Sequence, residues 1–183
     1  MGRLAIKCLA IKHNKKYKDD CVLGRSVNRK YRFSDDEKVI LQNQQLDVTV
    51  PIFSRAVVNR ITFTSKAYKE TKTNCYTVEV RTVSIEEDTG IVQIKQFFGT
   101  INFFFVLDNE ICFIAKELEI DLSQTFTFSQ NGLDIPVPHI FPVKENGGGL
   151  IFVKSSEITN ISSLIRVGNY VCKEPHRIKN VIM

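Results

Sequence analysis

Tryptophan is missing from this chain altogether, and the aromatic residues are thirteen Phe and five Tyr. Phe carries large apolar area and no polar handle, so such a set is core material before it is surface chemistry. The five cysteines, at 8, 21, 75, 112 and 172, form no CxxC pair, which removes the zinc-knuckle and thioredoxin-like readings. Long apolar runs are also absent. Leu4-Ala5-Ile6 is interrupted by Lys7 before Cys8-Leu9-Ala10-Ile11, too short and too charged for a signal core or a membrane span. Gly2 follows Met1, but Ile6 stands where a myristoylation pattern wants Ser or Thr. Asn160-Ile161-Ser162 spells a glycosylation sequon and, without a secretory signal, is read as chance. The cysteines are expected to be reduced, the location nuclear or cytoplasmic, and a membrane partner is not expected.

Catalytic and metal constellations fail on spacing. A cysteine nucleophile needs a base within hydrogen-bond reach and a third group to orient it. His13 sits in a basic stretch, His139 between prolines and His176 just after Pro175, while Cys75 and Cys112 lie in strand patterns where a small buried hydrophobe is the ordinary reading. Neighbouring acids at Asp19-Asp20, Asp35-Asp36 and Glu86-Glu87-Asp88 lack the Asp/Asn/Gly spacing of a calcium loop. Gly147-Gly148-Gly149 lacks a following Lys-Ser/Thr and leads into a strand pattern, so it reads as a turn and not a phosphate cradle. The sequence therefore predicts no catalytic residue, no metal site and no cofactor.

What is present is charge asymmetry. The net charge of +5 conceals a segment, residues 1–32, with ten basic and two acidic residues, while the remainder is net acidic. Lys12, Lys15, Lys16, Lys18, Arg25, Arg29, Lys30 and Arg32 are the candidate nucleic-acid contacts, because clustered Lys and Arg attract polyanions. From residue 12 to 32 only Val22 and Leu23 offer an apolar anchor. The expected organisation is a basic arm or linker over 1–32 and a β-barrel-like domain over 33–183.

Ser34-Asp35-Asp36-Glu37 has the spacing of a capping box, with acids at the positive end of the dipole, and predicts one short helix over about 35–45. From Val48 onward the period is two. Ile61 and Phe63 alternate with Thr62 and Thr64; Tyr76, Val78 and Val80 alternate with Thr77, Glu79 and Arg81. Further strands are expected over Ile91–Phe98, ending at Gly99, then Ile101–Leu107, Ile111–Lys116, Thr125–Phe128, Leu150–Lys154, Leu164–Val167 and Tyr170–Lys173. Asp108-Asn109-Glu110 and Asn131-Gly132 mark turns, and Pro136, Pro138 and Pro142 make 135–143 an edge or crossing segment. About eight short strands and one N-terminal helix predict a mainly β fold, an antiparallel, partly open barrel or sandwich.

The Phe clusters pose a question. Consecutive strand residues face opposite sides, so Phe97, Phe98 and Phe103–Phe105 cannot all point into a one-sided core. Packing against a second layer, stacking of bases on an aromatic platform and a protein interface are the alternatives. Phe97, Phe98 and Phe104 are the candidates for an aromatic surface.

Ile61-Thr62-Phe63-Thr64-Ser65 with Tyr68, then Lys72-Thr73-Asn74-Cys75-Tyr76-Thr77-Val78, Gly90-Ile91-Val92-Gln93-Ile94-Lys95-Gln96-Phe97-Phe98 and the stretch from Tyr170 to Ile178 follow one another in a familiar order. Taken together, residues 20–180 resemble the β-rich C-terminal region of uncharacterised invertebrate proteins derived from DNA transposons, often CACTA-like. The resemblance implies an accessory module beyond the nuclease domain, holding protein or DNA near an element's end. It maps no functional residue.

The function expected from the sequence is a non-enzymatic interaction module, transposon-derived or chromatin-associated, with a protein partner and with DNA or RNA contact through the basic segment. The alternatives are a cysteine-dependent hydrolase whose site is assembled only in three dimensions, and a structural remnant without activity.

Overall fold

A computed structural model describes residues 16–17, 20–68, 76–85, 91–121, 126–137, 140–144 and 148–172. In chain order these form β1 (Lys16–Tyr17), β2 (Asp20–Leu23), a 3-10 turn (Asn28–Lys30), α1 (Asp35–Asn43), β3 (Ile52–Phe53), β4 (Arg55–Val58) and β5 (Ile61–Thr64). Next come β6 (Thr77–Ile85), β7 (Val92–Leu107), β8 (Glu110–Ile120), β9 (Thr127–Gln130), β10 (Leu133–Pro136) and β11 (Ile140–Lys144). The last are β12 (Leu150–Lys154), a 3-10 turn (Ser155–Glu157), β13 (Ile158–Ser163), β14 (Ile165–Val167) and β15 (Tyr170–Cys172). Of the mainly β, antiparallel barrel or sandwich expected from the period-two pattern, the partly open barrel is what forms. Its strands are more numerous than eight, because several pairings involve only two or three residues that alternation cannot reveal.

The barrel is built on two long strands. β7 pairs with β6 along its first half and with β3 near its end, while β8 runs along its other edge. β12 adds to the far edge of β8, and β13 adds to the free edge of β6. β12 and β13 are consecutive, joined only by the turn Ser155–Glu157, so one bent stretch of chain supplies both edges. A smaller sheet, β1-β2-β4-β5, packs against the barrel. Val22, Ala56, Val58 and Phe63 from that sheet share one core with Val78, Val80, Phe97, Phe104, Phe113 and Ile161.

A break after Gly99 is expected from the sequence, but β7 runs unbroken through it. A Cβ at Gly99 would lie 3.1 Å from the Phe97 ring and 3.2 Å from the Lys116 carbonyl oxygen, so glycine here permits a close approach to β8 rather than ending a strand. The actual irregularity is a bulge at Asn102. Ile101 pairs with Ala115 and Phe103 with Ile114, which leaves Asn102 unopposed. The extra residue reverses the alternation. Phe97, Ile101 and Phe104 therefore all point into the barrel, while Phe103 and Phe105 point outward beneath α1. Phe98 joins a third cluster with Leu118, Val143, Leu164 and Val171. Phe97, Phe98 and Phe104 do not form an aromatic surface; their exposures are 3%, 9% and 0%. The sheet has apolar cover on both faces, which accounts for the Phe excess.

α1 begins as the capping box requires. The Ser34 hydroxyl accepts from the Glu37 amide at 3.2 Å, and the Glu37 carboxylate accepts from the Ser34 amide at 2.8 Å. Leu41 faces the sheet and is fully buried. The expected domain boundary at residue 32 is displaced. β2 pairs with β4, and Val22 is a fully buried core residue, so 20–32 belongs to the folded body. Val27, Tyr31 and Phe33 pack under the sheet's outer face while the basic residues between them point out, a pattern that composition alone averages away.

Candidate nucleic-acid interface

Of the basic candidates, Lys12, Lys15 and Lys18 lie outside the described residues, and Lys16 pairs through its backbone with Cys21. Arg25, Arg29, Lys30 and Arg32 are all exposed on the strap that joins β2 to α1. The strap is held firmly. The Val27 amide donates to the Ile52 carbonyl at 2.9 Å, and the Asn28 side chain bridges to β3 by accepting from the Ile52 amide at 2.8 Å and donating to the Val50 carbonyl at 2.6 Å. Inward anchoring of Val27, Asn28, Tyr31 and Phe33 leaves the cations outward.

Behind the strap opens a pocket of about 310 Å³ lined by Val27, Lys30, Tyr31, Ser54, Lys66, Ala67 and Tyr68. Two lysines and two tyrosines line it, and no carboxylate does. Lys66, Tyr68 and the adjacent Arg55 come from the segment around β4 and β5, distant in sequence from the strap, and sequence reading missed them. No local pattern marks them, because their meeting depends on β2 pairing with β4.

Each wall is fixed by a distinct device. The Lys66 amide donates to the Ile101 carbonyl at 2.8 Å and the Ala67 amide to the Asn102 carbonyl at 3.2 Å, which ties that wall to the bulge in β7. The Arg55 guanidinium stands 5.1 Å from the centre of the Tyr68 ring, within cation–π range. The Tyr31 ring makes edge contacts with Phe33 and Phe103, each at 5.2 Å. The Tyr31 hydroxyl donates inward to Glu37 Oε1 at 2.7 Å, and the Asn102 amide donates to the same oxygen at 2.8 Å. Burial, then the hydrogen bond and charge of Glu37, push the Tyr31 hydroxyl well above the ordinary phenol range. Tyr31 is therefore a neutral wall with its polar end committed inward.

A larger cavity, about 570 Å³, lies at the other end of β7 and β8 and is lined by Gln96–Phe98, Glu117–Ile120 and Gly148. Its ionisable lining residues are Glu117 and Glu119, the wrong sign for a phosphate backbone. Cysteine chemistry finds little footing among the described residues. Burial pushes the Cys112 thiol up to about 12, opposite to an activated nucleophile, and Cys21 and Cys172 are half-buried. Cys8, Cys75 and all three histidines lie outside the described residues. Among the described residues no three His, Cys, Asp or Glu side chains gather as a metal site, and no helix is long and apolar enough to cross a membrane.

Fold and site together define a partly open β-barrel with a basic, tyrosine-lined pocket beside the helix-covered face of its sheet. No protein-family model matches the chain, and neither a curated protein nor a solved structure does. The resemblance to transposon-derived proteins gains no support from these comparisons.

Proposed function

We propose that this chain is a non-enzymatic interaction module that contacts nucleic acid through the basic strap and the pocket behind it. The observation that carries the reading is the pocket's lining: Lys30 and Lys66 with Tyr31 and Tyr68, no carboxylate, and exposed Arg25, Arg29 and Arg32 on the same strap. Cations beside aromatic rings are the elements by which β-barrels hold nucleic-acid strands. The transposon resemblance implies DNA as the target; the pocket by itself implies only a polyanion that carries bases.

The test is binding of labelled oligonucleotides across a salt series. Replaced phosphate counterions make affinity fall linearly on logarithmic axes, and each lost contact flattens the slope by about 0.7–0.9. Arg25→Glu combined with Arg29→Glu and Arg32→Glu is expected to weaken binding and flatten that slope. Unchanged binding in the triple variant sinks the strap as the contact.

A protein partner is the second half of the reading, and a different surface supports it. Phe128 faces Ile135 across the β9–β10 ribbon, with Leu133 on the same side, and all three are exposed. Phe126 at the base of the ribbon meets the Tyr170 ring at 5.4 Å, which continues the apolar stripe to exposed Val167 and Ile165. An apolar stripe of this kind marks a contact surface. Leu133→Asp is expected to lose a protein partner and retain oligonucleotide binding; loss of both rejects the division between the two surfaces.

A further inference from the structure

We propose that the pocket accepts one unpaired nucleotide, so that the site favours single strands over duplex. This rests on the nucleic-acid reading above and goes beyond it, because the strap's charge alone does not discriminate between the two forms.

Size is the first consideration. At about 310 Å³ the pocket lies near the lower limit of cavities that enclose a small ligand, about 300–1,000 Å³. That volume is on the scale of one nucleotide rather than of a longer stretch. Its walls are the second. Tyr31 and Tyr68 contribute aromatic rings to the lining, and the Arg55 guanidinium covers one face of Tyr68, which leaves the other face as the one for a base. Bases in a duplex have both faces occupied by their neighbours and cannot lie against a tyrosine without being pulled out, whereas an unpaired base can. Charge is the third. Lys30 and Lys66 line the same pocket and can meet the phosphates on either side of the inserted base.

Preorganisation adds to this. Tyr31 is locked by Phe33, Phe103 and Glu37, and the chain at Lys66 and Ala67 is bonded to β7. The Tyr31 ring and the backbone at Lys66 and Ala67 therefore have little freedom left for a ligand to remove. The ligand class is a single-stranded DNA or RNA segment.

The experiment uses the full chain and fluorescence anisotropy with single strands of about 12 nucleotides, within the usual range of site sizes, and the matching duplexes. Variants are Tyr68→Leu, which keeps apolar bulk without the ring, Tyr68→Phe, which keeps the ring, and the strap pair Arg25→Glu with Arg29→Glu. Stacking of one base is worth about five- to 150-fold in affinity. The wild type is expected to bind single strands at least about fivefold more tightly than duplex on that basis. Tyr68→Leu should weaken single-strand binding by at least about fivefold and so abolish the preference. Tyr68→Phe should retain it, and the strap pair should weaken both substrates together.

Equal binding of the two forms by the wild type, or no effect of Tyr68→Leu, overturns the nucleotide pocket while leaving the strap reading intact. Effective competition by a free nucleoside monophosphate at micromolar concentration would make this a mononucleotide site and also overturn the proposal. Binding of neither form at low salt overturns the nucleic-acid reading itself.

Discussion

Tyr31 and Glu37 form a hydrogen bond that joins the surface of the molecule to its interior: a phenol that lines the pocket donates, at 2.7 Å, to a carboxylate that is 3% exposed. Glu37 is the third residue of a helix cap, yet it also receives the amide of Asn102, the bulged residue of β7. One carboxylate therefore caps α1, positions a pocket wall and fixes the helix over the barrel.

Glu37→Ala strands three donors: the Tyr31 hydroxyl, the Asn102 amide and the Ser34 backbone N–H. The Tyr31 and Asn102 donors are half-buried and Ser34 is exposed, so the variant should lose about 1–3 kcal/mol in urea denaturation. A loss below about 0.5 kcal/mol, the size of an ordinary surface substitution, would show that the network contributes little.

Stability should decline on the alkaline side. The folded state holds the Tyr31 and Cys112 protons more tightly than the unfolded chain does, so above pH 9 the unfolded state binds fewer protons and gains. The Cys112 contribution is present below about pH 9 and is lost as pH rises toward about 12; that of Tyr31 starts to fall near pH 10. Tyr31→Phe should lower stability at neutral pH and make the curve flatter above pH 10. An identical alkaline slope in the variant would remove Tyr31 from the account.

Glycine substitutions separate two kinds of crowding. A Cβ at Gly148 would stand 2.1 Å from the Glu117 carbonyl oxygen, and backbone has to move to admit it. Gly148→Ala should cost about 3 kcal/mol, the top of the usual overpacking range, and Gly99→Ala about 1 kcal/mol, because its 3.1 Å and 3.2 Å contacts with the Phe97 ring and the Lys116 carbonyl need only a few tenths of an ångström of give. Denaturant midpoints that rank the two in reverse order would contradict these contacts.

Thr77 and Thr100 face each other across the β6–β7 ladder, and both hydroxyls are buried without a partner in the structure. Replacing a buried unpartnered hydroxyl with a methyl group removes a desolvation cost. Thr100→Val is expected to stabilise the fold by about 0.5–1 kcal/mol, read as a raised melting temperature. A destabilised variant would mean that the hydroxyl is satisfied.

A chain cut to begin at residue 33 should lose cooperative unfolding, because it removes β2 and the buried Val22. Charge reversal on the strap should leave the thermal transition in place. A cooperative transition in the shortened chain would restore the view of residues 20–32 as a detachable arm.

Much of the architecture was legible. Ser34 and Glu37 named their helix because a cap is local chemistry, and Asp108-Asn109 named its hairpin because both residues take positive φ. The bulge at Asn102 had no signal: nothing in Ile101-Asn102-Phe103 says which residue the ladder will skip, and the facing of three Phe side chains depends on it. The strap cations were legible as charge. The pocket was not, because Lys66 and Tyr68 reach Lys30 only after distant strands pair.

The bent stretch from β12 through β13 also sets the order of events during synthesis. Val80 waits for Ile161, and among the described residues no earlier strand takes that edge of β6 from Thr82 to Val78. A ribosome that has made β6, β7 and β8 has made a three-stranded sheet with two open edges and apolar side chains exposed, the state most prone to pair with another copy. Folding in one cooperative step is delayed until the last quarter of the chain emerges, and a nascent chain that stops before Ile158 is an aggregation hazard rather than a smaller version of the protein.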